Sequence, residues 1–218
     1  QEHPELRGKS IAVCGDPEAR HGIVLTASYP AKRMGVKTGM PIWEAKQHCR
    51  DLIIVPASFG KYQKYSGYVR EVFNDYTDQV ESFGLDEAWL DITGSVGLFG
   101  SPVKIAKEIS VRIKRELGIT VSIGVSFNKI TAKLGSDYKK PDAITVIEPD
   151  TYKQIVYPLP VGDLLYVGNA TQRKLGSYGI RTIGQLAETN PEVLKGWFGV
   201  MGYTLSAFAR GLDQTPVA

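Results

Sequence analysis

Gln79-Val80-Glu81-Ser82-Phe83-Gly84-Leu85-Asp86-Glu87-Ala88-Trp89-Leu90-Asp91 sets two adjacent carboxylates between two runs that read as strands. Gln79 to Phe83 is short and extended in character. Beyond the acids, Ala88, Leu90 and Ile92 alternate with Trp89, Asp91 and Thr93 at the strand period of two. Asp86 and Glu87 therefore fall near a hairpin tip. Oxygen-only ligands favour Mg²⁺ or Mn²⁺, and Mg²⁺ is typically held by one or two carboxylates together with substrate phosphates. Phosphoryl transfer is the chemistry such a pair suggests. A bare Asp-Glu pair reads far more often as solvated turn acids, so the rest of the chain has to decide.

The bulk composition narrows the class only mildly. The 218 residues are 43% hydrophobic and 22% charged, an ordinary globular balance. No apolar run approaches the roughly 20 residues of a membrane span, and no charged-then-apolar leader precedes residue 10, so a cytoplasmic location with no membrane partner is expected. Cys14 and Cys49 have no CxxC spacing and do not combine with His3, His21 and His48 into a zinc pattern; both read as reduced core residues. Against 23 acidic residues stand 26 Lys and Arg, a net charge of +3 that does not by itself argue for nucleic acid. Clustering says more. Lys104, Lys107, Arg112, Lys114 and Arg115 read as one solvated helix face, whereas Lys129, Lys133, Lys139 and Lys140 load a second segment.

Along the chain, residues 10–14, 23–27 and 52–55 read as strands and Pro41 to Cys49 as a helix, together a small α/β layer. Ser58 is placed to cap a helix whose Tyr62, Tyr65, Val69, Val72, Phe73 and Tyr76 recur at helical spacing, a stripe that reads as core. After the hairpin, Ser101 and Gly118 bracket a helix from Pro102 to Leu117. The alternation of Ile119, Val121, Ile123 and Val125 predicts a strand, followed by a helix from Asn128 to Tyr138 and a strand from Ala143 to Ile147. Helix, hairpin, helix, strand, helix, strand is an α+β arrangement with helices on one face, close to the ferredoxin-like order. Beyond Pro149 the texture becomes glycine-rich and helical. Leu165 to Thr171 and Trp197 to Gly202 each set a glycine turn before a helical run, which fits two tandem helix-hairpin-helix units; a plain bundle with glycine C-caps gives the same composition.

Four ordered blocks resemble those of the Y-family DNA polymerases of the ImpB/MucB/SamB type, which copy past damaged template bases. The hairpin resembles their S-I-D-E-A-[FY]-L-D motif. Pro4-Glu5-Leu6-Arg7-Gly8-Lys9 with Ile11-Ala12-Val13 is similar to the start of their fingers, and Thr26 to Pro41 resembles T-A-x-Y-x-A-R-x-x-G-V-x-x-G-M-P. Ser122 to Lys129, continued through Ala132 to Asp142, resembles S-I-G-I-[SA]-x-N-K-x-x-A-K-x-A-S-x-x-x-K-P-x-G.

The resemblance implies fingers over 1–57, a ferredoxin-like palm over 58–147 and a helix-hairpin-helix thumb over 148–218. It implies template-directed DNA synthesis, with two Mg²⁺ ions, or Mn²⁺ in their place, held by the catalytic acids Asp86 and Glu87; Asp91, farther along the strand, reads as structural. Tyr29, Lys32 and Lys140 match the residues that bind the nucleotide triphosphate, with Lys32 standing where the family has arginine. Ile23 and Leu25 match the floor of the templating-base pocket, and Val167, Gly168 and Gly202 the DNA-binding hairpins. In the first of these Tyr166 replaces the usual first glycine. Primer-template DNA and a deoxynucleoside triphosphate are the implied partners, with a sliding clamp reached through a region outside this chain, and a role in the SOS response. Because the chain begins at Gln1, the family's first palm strand, with a third metal carboxylate and a ribonucleotide-excluding aromatic, is expected upstream, and its little-finger domain downstream; without them the chain is expected to be inactive. Two other classes are less well matched. A non-catalytic DNA-damage scaffold would have no need of Asp86 and Glu87, and a nucleotide cyclase no need of the Tyr29 block or the thumb hairpins.

Overall fold

The first apolar runs pair into a three-stranded sheet in the computed structural model, which describes residues 3–15 and 22–218; Gln1 and His21 lie outside them. Strands β1 (Ile11–Cys14), β2 (Val24–Ala27) and β3 (Ile53–Pro56) are ordered β2-β1-β3, with β2 antiparallel and β3 parallel to β1. The register of β1 and β2 slips between Val13 and Cys14, which leaves Leu25 as the extra residue of a bulge. Helices α1 (Tyr29–Arg33) and α2 (Ile42–His48) complete this layer. Ala12, Cys14, Val24, Ala31, Val36, Ala45 and Cys49 form its core, and both cysteines are free thiols. Burial pushes the Cys14 thiol up from its ordinary value.

The chain divides into two compact units, residues 1–64 and 65–218, and the division falls within α3 (Phe59–Asn74). The aromatic stripe expected on this helix is core only at its far end: Val72 and Tyr76 are buried and Tyr62 is exposed.

In the second unit, β4 (Val80–Ser82) and β5 (Ala88–Leu90) form an antiparallel hairpin, followed by α4 (Val96–Phe99) and α5 (Pro102–Leu117). Helix α5 has the bounds its caps dictate. The Ser101 hydroxyl accepts the Lys104 N–H, and Gly118 closes the helix in the left-handed region at φ 65. Ile105, Ile109 and Ile113 are buried at four-residue spacing, each contributing about 1.5–3 kcal/mol. They pack against Val72 and Tyr76 and against the half-buried Leu90, Ile92 and Ile123.

Strand β6 (Ile123–Ser126), α6 (Lys129–Tyr138) and β7 (Ile144–Ile147) form a parallel β-α-β unit. The strand expected from Ile119 is shorter than the alternation implies. Ile119 and Val121 do pack on the α5 cluster, but β7 begins at Ile144 opposite Ile123, so the residues before Ile123 have no ladder partner. The α+β class stands; among the described residues its strands after α3 form two separate ladders, β4–β5 and β6–β7, and α5 packs against residues of both.

The remaining helices are α7 (Tyr152–Val156), α8 (Asn169–Ser177), α9 (Ile183–Glu188), α10 (Pro191–Phe198) and α11 (Val200–Ala209). Their core of Leu175, Ile183, Leu186, Leu194 and Leu205 is continuous with Ile130 and Leu134 of α6 and Ile147 of β7. No helix among the described residues is long and apolar enough to cross a membrane.

Candidate active site

The hairpin tip is tight and tethered on several sides. The pairing Ser82–Ala88 is followed by a Phe83 N–H donated to the Glu87 carbonyl at 2.8 Å, which confines Gly84, Leu85 and Asp86 to the turn. Gly84 takes φ 80, a conformation that costs a side-chain-bearing residue about 1 kcal/mol or more. The Arg70 guanidinium on α3 donates to the Gly84 carbonyl at 3.2 Å. On the opposite strand, Trp89 packs against Phe83 in a tilted pair with centroids 4.8 Å apart and donates its indole N–H to the Lys129 carbonyl at 2.9 Å. Lys129 lies over the Trp89 ring and pairs with Glu81 at 2.6 Å, so the start of α6 is fixed to the hairpin.

The two acids present different faces. Asp86 is exposed. Glu87 is 34% exposed, and its Oε1 accepts from the Lys133 ammonium at 2.9 Å. Lys133, only 16% exposed, also pairs with Asp137 at 2.7 Å, and Asp137 accepts from Lys140 at 2.6 Å. Burial pulls the Lys133 ammonium down, but its bonds to Asp137 and Glu87 outweigh that and hold it above the usual lysine range. Burial likewise pushes Asp137 up, and its bonds to Lys133 and Lys140 leave it below the usual carboxylate range. One oxygen of Glu87 and both of Asp86 remain for a hard cation, a donor set suited to Mg²⁺ or Mn²⁺. Among the described residues no group of three or more His, Cys, Asp or Glu side chains gathers at one point.

Asp91 has a local job. Its Oδ1 accepts the Thr93 N–H at 2.9 Å, and the Thr93 side-chain and backbone bonds hold its carboxyl below the usual range. Its carbonyl accepts the buried Thr77 hydroxyl at 2.6 Å, closing the base of the hairpin.

Tyr29 and Lys32 belong to the first unit. The Ser28 hydroxyl accepts the Ile11 N–H and donates to the Lys9 carbonyl, which ties the start of α1 to β1. Tyr29 is 43% exposed and Lys32 lies 5.3 Å from its ring centroid. Ile23 is 41% exposed and bridges to Pro41, while Leu25 is half-buried in β2. Lys140 sits in the second unit beside Asp137.

The helical segment sets the residues of the expected DNA-binding hairpins in different surroundings. Gly168 is exposed at the start of α8. Val167 is buried and already donates its N–H to the Leu164 carbonyl. Gly202 is buried, donates its N–H to the Gly199 carbonyl, and is so close to α10 that a Cβ there would overlap the Leu194 carbonyl oxygen. Val167 and Gly202 therefore support their turns from inside, whereas Gly168 and Gly199 are on the surface. Tyr166 adopts φ 69, in the left-handed region that favours glycine, and stacks on Phe208 with centroids 6.0 Å apart.

Lys133 and Asp137 are the residues for which the sequence suggested no individual role. Their spacing of four on α6, with Lys140 three further on, is the signal that links them.

Comparison with known proteins agrees along the whole chain. Residues 1–137 match the model of the impB/mucB/samB family, and residues 162–213 match that of the DNA polymerase-iota thumb domain. DNA polymerase IV of Acetivibrio thermocellus is 56% identical over 216 residues, covering 99% of this chain and 54% of that protein. DNA polymerase IV 1 of Bacillus subtilis is 42% identical, covering 98% and 51%. The crystal structure of DinB from Sulfolobus solfataricus superposes with a TM-score of 0.89 at 31% identity, over 99% of this chain and 64% of that one. An insertion ternary complex of Dbh DNA polymerase gives the same TM-score of 0.89 and identity of 31%. The chain spans about half the length of the curated relatives it matches.

Proposed function

Because this chain belongs to the impB/mucB/samB family of Y-family polymerases, we propose that it forms the fingers (1–57), palm (58–147) and thumb (148–218) of a translesion DNA polymerase. The reaction is attack of a primer 3′-hydroxyl on the α-phosphorus of an incoming deoxynucleoside triphosphate, with pyrophosphate leaving. The observation that carries the reading is the pair Asp86 and Glu87 on a tethered hairpin turn, one carboxylate exposed and the other fixed through a single oxygen.

Asp86 and the remaining oxygen of Glu87 would hold divalent cations; two Mg²⁺ ions, or Mn²⁺ in their place, would stabilise the attacking and leaving oxygens. Tyr29 and Lys32 contact the triphosphate from the fingers and Lys140 from the palm; Lys32 acts as a point charge where a guanidinium would bind as a fork. Ile23 and Leu25 shape the floor beneath the templating base. Gly168, at the start of α8, presents backbone to DNA phosphate, with Val167 and Gly202 setting the shape of the two turns. A sliding clamp is a further partner, through a region outside this chain.

Primer extension by the full gene product on undamaged and abasic-site templates tests the reading. Extension past the abasic site with Mg²⁺, at a cost of less than about tenfold in kcat/KM or 1.4 kcal/mol, is expected. Absence of extension on both templates overturns it.

A further inference from the structure

Lys133 is more confined than a surface lysine on a solvated helix. Helix α6 approaches β6 so closely that a Cβ at Gly124 would overlap the Ala132 carbonyl oxygen, and a Cβ at Gly135 would lie 3.1 Å from the Gly124 Cα. The backbone beneath Lys133 therefore has no room to slide. Its ammonium is pinned between Glu87 Oε1 at 2.9 Å and Asp137 Oδ2 at 2.7 Å. Asp137 in turn is shared with Lys140 at 2.6 Å, which gives an unbroken chain of alternating charge from the hairpin to Lys140.

We propose that Lys133 is a positioning residue for Glu87: a built-in cation that fixes one carboxylate oxygen, aims the other, and moderates the affinity of the hairpin for divalent metal. The proposal rests on the reading of Asp86 and Glu87 as metal ligands. Two effects of the lysine oppose each other. Its charge, at bonding distance from Glu87, weakens the attraction of a second cation to the same carboxylate. Its bond also removes rotamer freedom that Glu87 would otherwise lose on binding metal. A full charge 2.9 Å from the carboxylate, on an ammonium only 16% exposed, outweighs the ordering of one or two side-chain torsions, so the net effect on affinity is unfavourable. The gain lies in geometry, since a carboxylate already aimed holds the reacting oxygens in line. Removing the lysine should therefore tighten metal binding while slowing turnover, two changes of opposite sign that a merely structural role does not give.

The test is a Mn²⁺ titration of the full gene product, with free ion counted by electron paramagnetic resonance and folding checked by thermal melting. Lys133→Met is expected to bind Mn²⁺ about three- to tenfold more tightly, with kcat reduced about tenfold. Lys133→Arg keeps the charge and should match the wild-type affinity within about twofold. Asp137→Asn leaves the ammonium with Glu87 as its one charged partner, so binding should weaken by about threefold. Unchanged or weaker binding in Lys133→Met overturns the proposal. If that variant does not fold, Asp137→Asn decides: weaker binding supports it, and unchanged or tighter binding overturns it. Glu87→Gln separates the premise from the inference. Unchanged binding there removes Glu87 as a ligand and overturns both; weakened binding there, with no tightening in Lys133→Met, overturns the role of Lys133 alone.

Discussion

The β4–β5 hairpin and the α10–α11 pair each turn on an exposed glycine, Gly84 and Gly199, yet different forces hold them. At the hairpin the glycine is exposed and the tip is secured by polar tethers: Arg70 to the Gly84 carbonyl, Lys133 to Glu87, Thr77 to the Asp91 carbonyl. Between α10 and α11 a surface hydrogen bond from Tyr203 to Glu192, with Lys195 over the Tyr203 ring, lies above a dry contact. Gly202 is buried against the Leu194 carbonyl, and Leu194 and Leu205 are fully buried beside it. A tethered turn places functional groups in solvent at little cost to the core. A packed turn contributes to stability and presents only its rim. Substitutions should therefore separate by region, those in the packed turn affecting stability and those at the hairpin tip affecting chemistry.

The sharpest challenge to that contrast is Gly202→Val. The added side chain meets backbone atoms of Leu194 and Lys195 that have no flexible end to yield. A loss of about 3 kcal/mol or more is expected in chemical denaturation, because overpacking here requires two helices to part. A loss under about 1 kcal/mol would show that the helix contact is plastic, and the distinction between the two regions would weaken.

Thr77→Val tests the base of the hairpin. The hydroxyl donates to the Asp91 carbonyl at 2.6 Å and accepts the Gln79 N–H at 3.1 Å, and valine keeps the shape while removing both bonds. About 1–2 kcal/mol should be lost in urea unfolding, less than at Gly202. A loss equal to that of Gly202→Val would mean that polar tethers carry as much as packing.

The smallest effect concerns pH. The bonds from Thr93 hold the folded Asp91 carboxyl below its ordinary range. Its contribution is thus fully present above the unfolded value of about 3.9 and is lost as pH falls through the lower folded value. Asp91→Asn should flatten that part of the acid limb of the stability curve and change neutral stability by less than about 1 kcal/mol. An acid limb unaltered by the substitution would detach Asp91 from the hairpin's polar framework.

Where local chemistry sets an element, the sequence was enough. Ser101 and Gly118 bracket α5 at the bounds seen, and Asn128 caps α6 by accepting the Thr131 N–H. The hairpin and the exposure of Asp86 were legible in the same way, from alternation interrupted by a glycine turn. The strand at Ile119 was over-extended because alternation records which side chains are buried, whereas ladder length is set by where β7 supplies a partner. The ion pair between Lys133 and Glu87 joins residues 46 apart, so no local pattern announces it. The burial of Gly202 was not legible because a glycine demanded by close helix contact and one exposed at a turn are the same letter. The left-handed Tyr166 was hidden for the converse reason: a tyrosine there breaks the expected glycine pattern while adopting a conformation that favours glycine.

The central claim, that the hairpin tip performs chemistry without supporting the fold, is tested most directly by Asp86→Asn in the full gene product. Single-turnover primer extension, thermal unfolding and primer-template affinity would be measured on the same protein. Extension should fall by about a thousandfold or more, because two-metal charge stabilisation amounts to several kcal/mol of the barrier. Unfolding should shift by less than about 0.5 kcal/mol and DNA affinity by less than about twofold, as for an exposed residue away from the core. Extension retained within about tenfold, or a loss accompanied by an equal loss of folding or DNA binding, would contradict it.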